Sequence, residues 1–227
     1  MSVHTASLRA AKRRCRRETL DRRASLPLDL SVMLGGLACW RLVGLPEYGA
    51  ARTVMAFASF RGELDTRPLL FDILRSGRTL VLPAVQAGTP RLDLRIVSDL
   101  AELRPGGWGI PEPGQGCPPA DPARIDLVVV PGVAFDVRGQ RVGYGGGFYD
   151  ALLRGWREEP GPAARRPAAP GAAGRHSAGP VACGLAYELQ VHPAVPAGPH
   201  DQPLDLLVTE LRIRRFAKGD MPDGRGG

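Results

Sequence analysis

The chain has 227 residues, 44% of them hydrophobic and 23% charged, and carries a formal net charge of +7. These values are typical of a globular protein with one domain or two small ones, and the basic excess fits nucleic acid, nucleotides or a polyanionic metabolite without choosing among them. The four cysteines are far apart and form no CxxC pair, which argues against a disulfide framework or a zinc site. No apolar run approaches the roughly 18 residues of a membrane span, and the N-terminus lacks the apolar core of a secretory signal, so we expect a cytoplasmic protein.

Two helices are predicted at the N-terminus. Residues 8–26 are rich in arginine and have only a thin apolar stripe, which predicts a helix with a basic face. A second helix follows, with Asp29 or Ser31 as its N-cap and with one apolar side. That side comprises Leu30, Met33, Leu34, Leu37 and Trp40.

Short apolar segments that alternate with helices predict a mostly parallel sheet. The predicted strands cover residues 53–58, 79–82 (ended by Pro83), 92–97, 126–130, 181–186 and 206–208. The strand at 126–130 is almost continuously apolar, which indicates burial on both faces. Asp65 and Thr66 are expected to cap the helix after the first strand, and Gly77 to end it. This alternation predicts an α/β fold with three layers.

A single domain is predicted over residues 1–217. Within it, residues 155–180 are rich in Pro, Ala, Gly and Arg without apolar periodicity, which predicts a flexible surface insertion. Residues 218–227 are predicted to form a disordered tail.

The stretch from Asp126 to Asp150, DLVVVPGVAFDVRGQRVGYGGGFYD, contains the strongest functional signal. A buried strand leads to Arg141, then to a glycine-rich loop and to a helix that opens near Phe148. Backbone N–H groups of such a loop, together with a helix N-terminus, bind phosphate well. The loop matches neither a GxxxxGK[ST] P-loop nor a GxGxxG fingerprint, and a tight strand-to-helix turn without a ligand stays open as an alternative.

Acidic residues near this loop and near the C-terminus suggest a metal. Asp150, expected to face solvent, either favours the helix dipole or holds Mg²⁺, which takes hard oxygen ligands. His200 and Asp201, in the segment PHDQPLD, are candidates for metal or phosphate chemistry, although the segment taken alone favours a turn in which Asp201 bonds its own backbone.

Three further features have both a functional and an ordinary interpretation. Glu63, in SFRGELDT, follows a strand end where α/β sheets place ligands, but is otherwise a solvated loop acid. Trp108, in GWGIPEP, either stacks on a flat heterocycle or fills a loop. Lys12 and Arg16 lie one helical turn apart on the basic helix, a surface that is more often only solvated.

Four motifs in the same order resemble the 5-formyltetrahydrofolate cyclo-ligase family, also called methenyltetrahydrofolate synthetases. The motifs are SFRGELDT, GIPEP, VVVPGVAFDVRGQRVGYGGGFYD and PHDQPLDLLVTE. The resemblance covers nearly the whole chain except residues 155–180 and the tail. It implies a three-layer α/β/α sandwich with a mostly parallel sheet, similar to sugar-phosphate isomerases and CoA transferases.

The resemblance also implies an activity. Family members cyclise 5-formyltetrahydrofolate to 5,10-methenyltetrahydrofolate with ATP and Mg²⁺, releasing ADP and phosphate; ATP phosphorylates the formyl oxygen, N10 attacks the activated carbon, and phosphate leaves. The implied partners are a reduced folate and ATP, with no membrane and no nucleic acid, and the protein is expected to be a monomer or a weak homodimer.

Site residues follow from the same resemblance. The implied ATP site comprises Lys12, Arg16, Arg141, Val142, Gly143, Tyr144, Gly145, Gly146, Gly147, Phe148 and Tyr149. The implied folate site comprises Ala58, Glu63, Trp108 and Tyr149. Arg141 and Tyr149 are the implied catalytic residues, and Asp150 and Asp201 the implied magnesium ligands.

Two alternatives remain open at this stage. A relative that binds folate or nucleotide without turnover is the first, although every charged residue that the family pattern requires is present. A nucleic-acid-binding role for the basic N-terminus is the second; the arginines lack interleaved aromatic residues, which disfavours it.

Overall fold

A seven-stranded sheet forms the centre of the computed structural model, which describes residues 3–86, 89, 91–158 and 179–216. Its strands are β1 Thr53–Met55, β2 Thr79–Val85, β3 Leu92–Val97, β6 Leu127–Val130, β9 Val181–Leu185, β11 Leu206–Val208 and β12 Ile213–Arg215. Their order across the sheet is β12-β11-β9-β6-β1-β2-β3. The inner neighbours pair in parallel, and only the outer pairs β2–β3 and β11–β12 are antiparallel.

Smaller sheets and five helices complete the described part of the chain. A three-stranded sheet contains β7 Ala134–Asp136, β8 Arg141–Val142 and β10 Val191–His192, and a two-stranded sheet contains β4 Leu103–Pro105 and β5 Pro111–Pro113. The helices are α1 Val3–Ala24, α2 Leu28–Val43, α3 Pro46–Ala50, α4 Arg67–Arg75 and α5 Phe148–Glu158.

Two apolar cores, one on each face of the large sheet, hold the layers together. On one face, residues of α2, α3 and α4 such as Leu42, Tyr48 and Ile73 pack against the sheet. On the other, Leu153 and Trp156 of α5 are buried against it. The predicted three-layer α/β fold with a mostly parallel sheet is therefore confirmed, and β6 is buried along its whole length as predicted.

Strand ends differ from the predictions because neighbouring strands decide them. β2 does not stop at Pro83 but continues to Val85, paired with β3. The carbonyl of Val81 accepts from Ala56 on the β1 side, so Pro83, two residues on, faces that same side. Since β1 has already ended at Met55, the missing N–H of Pro83 breaks no ladder bond there.

Helix α2 begins earlier than predicted and buries another side. It starts at Leu28 after Pro27, which places Asp29 and Ser31 in its first turn rather than at the N-cap. Its buried residues are Gly35, Ala38, Cys39 and Leu42, whereas the predicted apolar side carries the exposed residues Met33, Leu37 and Trp40. Small residues allow the close approach, since a Cβ on Gly35 would lie only 3.5 Å from the backbone nitrogen of Asp65.

The predicted caps of α4 are partly correct. Gly77 ends the helix with φ +74°, as expected for a glycine after a helix. Asp65 accepts from the N–H of Arg67, but the Thr66 side chain caps nothing and instead donates to the carbonyl of Phe57.

Helix α5 extends into the predicted insertion. Residues 155–158 are helical, and Trp156 is buried with its Nε1–H donating to the carbonyl of Pro122 at 3.0 Å. The predicted insertion at 155–180 therefore begins within α5 and not as a loop. Residues 159–178 and the predicted tail at 218–227 lie outside the described residues.

No single helix within the described ranges is long and apolar enough to cross a membrane; α1 and α2 pass that test only as a pair bent by 109°.

Candidate active site

Connections from two neighbouring parallel strands meet at one edge of the large sheet. β1 and β6 pair in parallel, so the segments that leave their carboxyl ends emerge on the same side. The segment after β1 contains Ala58 and Glu63. The segment after β6 forms the hairpin of β7 and β8 and then the glycine-rich loop at 143–147, which leads into α5.

The glycine-rich loop has a conformation that its glycines make possible. Gly145 and Gly147 have φ values of +118° and +72°, which residues with a side chain rarely adopt. A Cβ on Gly146 would lie 2.4 Å from the Phe148 ring, so the ring fits only over a bare backbone. Gly147 accepts from the N–H of Ala151 and so stands at the N-terminus of α5, where backbone N–H groups favour an anion.

Helix α1 docks on the hairpin and brings a cation to the glycine-rich loop. Cys15 packs against the small core formed by Ala134, Val142 and Val195. The side chain of Val142 is buried in that core, which leaves only its backbone next to the loop. The next residue, Arg16, donates from Nε to the carbonyl of Gly143 at 2.6 Å.

Lys12 joins the N-terminal helix to a loop near the C-terminus. Its Nζ lies 2.6 Å from Oδ1 of Asp201, and both side chains are largely buried. Asp201 also accepts from the N–H of Gly198, which forms the turn that the sequence left open. The neighbouring His200 is exposed, and its backbone carbonyl accepts from Arg154 at 2.9 Å.

Arg141 is a buried cation at the base of the loop. Its side chain is 3% exposed, and its Nη2 donates to Oδ1 of Asp150 at 2.9 Å. Burial lowers the pKa of Arg141, and the charge of Asp150 opposes that shift. The same Oδ1 accepts from the backbone N–H of Gln202 at 3.0 Å, so Asp150 and the neighbour of Asp201 are in direct contact.

Two buried polar atoms here have no hydrogen-bond partner among the described residues: Nε of Arg141 and the hydroxyl of Tyr149. The Arg141 guanidinium carbon lies 6.0 Å from the Tyr149 ring centroid, so the two side chains are neighbours. Unpaired buried polar groups are costly, and a polar ligand at this location would satisfy them.

The carboxylates of Asp150 and Asp201 suit a magnesium ion that is also bound by phosphate. In the described part of the chain, no group of three or more His, Cys, Asp or Glu residues is arranged to hold a metal. Mg²⁺ often takes only one or two carboxylates and completes its shell with water and phosphate. Asp150 and Asp201 fit that role, although each carboxylate is also paired with a cation.

Glu63 is presented by a tight turn after β1. The N–H of Phe60 donates to Oε2 of Glu63 at 2.8 Å, and Arg61 and Gly62 have φ values of +44° and +70°. The Tyr144 hydroxyl of the glycine-rich loop lies close to the Glu63 carboxyl and interacts with it. Burial raises the pKa of Glu63, whereas Tyr144, the Phe60 N–H and Arg23 lower it.

Ala58 and Trp108 belong to segments next to this turn. Ala58 is half-buried just after β1. Trp108 belongs to the 3₁₀ turn Gly107–Gly109, and its side chain lies outside the described part of the structure. A Cβ on Gly109 would lie 3.5 Å from the Phe60 ring, so this turn packs next to the turn that carries Glu63.

Sequence reasoning missed Arg23. It was counted within a solvated basic face, yet it is 7% exposed and contacts both Tyr144 and Arg61. A signal did exist: Lys12, Arg16, Thr19 and Arg23 follow at spacings of 4, 3 and 4, which places them on one side of a helix.

The sequence is similar to those of curated enzymes that share one name. The 5-formyltetrahydrofolate cyclo-ligase of Escherichia coli (strain K12) is 31% identical over 195 residues, which cover 85% of this chain and 97% of that protein. The enzyme of the same name from Mus musculus is 25% identical over 210 residues, covering 90% and 96%.

Solved structures show the same fold. The NMR structure of Aquifex aeolicus 5,10-methenyltetrahydrofolate synthetase superposes with a TM-score of 0.72 at 31% identity, covering 93% of this chain and 96% of that one. The Mycoplasma pneumoniae enzyme, at 19% identity and a TM-score of 0.64, supports the fold alone. Since the sequence model described as the 5-formyltetrahydrofolate cyclo-ligase family matches residues 8–210, this chain belongs to that family.

Proposed function

We propose that this protein cyclises 5-formyltetrahydrofolate to 5,10-methenyltetrahydrofolate, using ATP and Mg²⁺ and releasing ADP and phosphate. One observation carries the proposal. Cations from α1 and from β8 surround a glycine-rich loop at a helix N-terminus, and the Glu63 turn lies directly beside that loop. This arrangement supports a phosphate site next to a second polar site, and the names of the relatives support a reduced folate as the second ligand.

The nucleotide site uses charge and backbone donors. Lys12, Arg16 and the loop at 143–147 bind the phosphates of ATP. Arg141, buried and fixed by Asp150, faces the transferring phosphoryl group, where a preorganised cation is most effective because little solvent screens it. Asp150 and Asp201 would hold Mg²⁺, which would neutralise phosphate charge.

The folate site orients the acceptor. Glu63 accepts hydrogen bonds from the flat ring system, with Ala58 and Trp108 beside it. The formyl oxygen then attacks the γ-phosphorus while ADP leaves, N10 adds to the activated carbon and loses its proton, and the carbon–oxygen bond breaks to release phosphate. Tyr149 offers its unpaired hydroxyl at the junction of the two sites. The protein mainly positions the reactants, which suits phosphoryl transfer.

The same proposal defines the partners and the location. A reduced folate and ATP are the proposed partners, the cytoplasm is the proposed location, and a monomer or a weak homodimer is the proposed catalytic unit. Dilution of the protein should therefore leave turnover per subunit unchanged.

The decisive experiment mixes purified protein with 5-formyltetrahydrofolate, ATP and Mg²⁺. Near-ultraviolet absorbance of the methenyl product should rise, with one ADP formed per product. Omitting ATP or adding a chelator should stop the reaction. Correctly folded protein that binds both ligands but forms no product would show instead a binding protein without turnover.

A further inference from the structure

Arg23 lies between the two halves of the proposed active site. It stands in the last turn of α1, almost fully buried. One guanidinium nitrogen, Nη1, donates to the Tyr144 hydroxyl at 3.0 Å, and the other, Nη2, donates to the carbonyl of Arg61 at 3.1 Å. Tyr144 belongs to the glycine-rich loop and Arg61 to the Glu63 turn, so a single side chain connects the two loops.

The turn that Arg23 holds is strained. Arg61 is the one residue other than glycine with a positive φ in the described part of the chain, at +44°. Such a conformation is unfavourable for a residue with a side chain and persists only where surrounding contacts maintain it. The hydrogen bond from Arg23 to the Arg61 carbonyl is such a contact, and it lies two residues before Glu63.

The second contact of Arg23 reaches Glu63 from the other side. Tyr144 accepts from Arg23, and its hydroxyl lies close to the Glu63 carboxyl and interacts with it. The guanidinium group presents its donors in a fixed plane, so it sets the distance between the Arg61 carbonyl and the Tyr144 hydroxyl. Glu63 is thereby held by its own turn and by the glycine-rich loop, and Arg23 fixes both.

We propose that Arg23 is a positioning residue for the folate site: it holds the Glu63 turn against Tyr144 so that the Glu63 carboxylate points at the folate. This inference rests on the proposed function. Arg23 does not touch the reactants; it acts through Arg61 and Tyr144. Its loss therefore impairs folate binding more than nucleotide binding, for which Lys12, Arg16 and the loop backbone remain.

The test measures folate and nucleotide affinity by calorimetry in Arg23→Met, which keeps the apolar stem but removes both donors. We expect the Kd for 5-formyltetrahydrofolate to rise about tenfold, and the Kd for ATP to change less than about twofold. The matched control is Arg22→Met, because Arg22 is exposed on the same helix turn; both affinities should stay at wild-type values. Arg23→Lys, with one nitrogen in place of the fork, should recover only part of the folate affinity.

A double-mutant cycle separates positioning from general structural support. In a Glu63→Gln background, Arg23→Met should change folate affinity by less than about twofold, because the group that Arg23 positions is already lost. Additive losses would overturn the inference, as would equal losses for folate and ATP together with a lower Tm. If Arg23→Met does not fold, Tyr144→Phe replaces it in the same cycle, with a smaller expected loss. If the wild-type protein turns over the folate and the cycle is additive, only the inference about Arg23 is refuted. If the wild-type protein does not bind the folate, the proposed function is refuted as well.

Discussion

At the residue scale, the proposed metal ligands and nucleotide ligands are paired with one another. Asp150 binds Arg141, and Asp201 binds Lys12. The sequence predicted a solvent-facing Asp150, but the structure gives it a buried cation and the N–H of Gln202 as partners. Removing this carboxylate therefore changes stability as well as catalysis.

Two substitutions of Asp150 should separate these effects. Asp150→Asn keeps an oxygen for Arg141 and Gln202, so turnover should fall about 100-fold while the free energy of unfolding changes by less than about 1 kcal/mol. Asp150→Ala leaves Arg141 buried without its partner and should cost a further ~2 kcal/mol. Steady-state kinetics and urea denaturation measure both quantities. Wild-type turnover in Asp150→Asn would exclude this residue as a metal ligand.

Glu63 should give the folate affinity a pH dependence. Because burial raises its pKa, Glu63 takes up a proton on acidification at a higher pH than an ordinary glutamate. Folate affinity should therefore begin to fall on the acid side above pH 4.5, the usual value for this side chain. Glu63→Gln should weaken folate binding about tenfold at neutral pH, remove that acid-side loss and leave ATP affinity unchanged. Calorimetry over a pH series checks this; a fall in ATP affinity instead would assign Glu63 to the nucleotide.

At the element scale, two glycines have opposite requirements: Gly147, just before α5, and Gly155, within it. Gly147 needs its positive φ, whereas Gly155 lies in the helix interior with open space where a Cβ would go. Gly147→Ala should cost about 1–2 kcal/mol of stability and weaken ATP binding, because the N–H groups of the loop move. Gly155→Ala should add about 0.5–1 kcal/mol and leave binding unchanged. Urea denaturation and nucleotide titration of the two variants check this. If both variants have the same stability and the same ATP affinity, the conformation of the loop does not contribute to ATP binding.

At the scale of the whole molecule, the site joins both ends of the described chain. α1 and the loop at 198–202 meet beside the glycine-rich loop through Lys12 and Asp201. A ligand that binds only the folded chain adds about 2.7 kcal/mol of stability at 100 times its Kd. We expect that gain for ATP with Mg²⁺, and a smaller gain at the same concentration in Lys12→Ala.

Arg13→Ala is the matched control for this prediction, because Arg13 is exposed on the same helix. Its gain should equal that of the wild-type protein. If Lys12→Ala and Arg13→Ala show the same gain, Lys12 does not bind the nucleotide. Urea denaturation with and without ligand provides the measurement.

Much of the architecture was predictable because it depends on local patterns. The apolar run of β6 indicated a strand buried on both faces, and Gly77 marked the end of α4. The ends of β1 and β2 were wrong, since a strand ends where its neighbours stop pairing, and the sequence of one strand does not contain that information. The buried side of α2 was wrong because small residues, not large ones, permit its close contact.

The sequence by itself determined the α/β class, the glycine-rich loop with its helix, and the family, since these follow from periodicity and short motifs. Only the tertiary structure decided which charges meet. Lys12 and Asp201 are 189 residues apart, and the burial of Arg23 depends on how α1 packs against the segments that carry Tyr144 and Arg61. Contacts between distant segments depend on the three-dimensional packing of several elements at once, which no local pattern records.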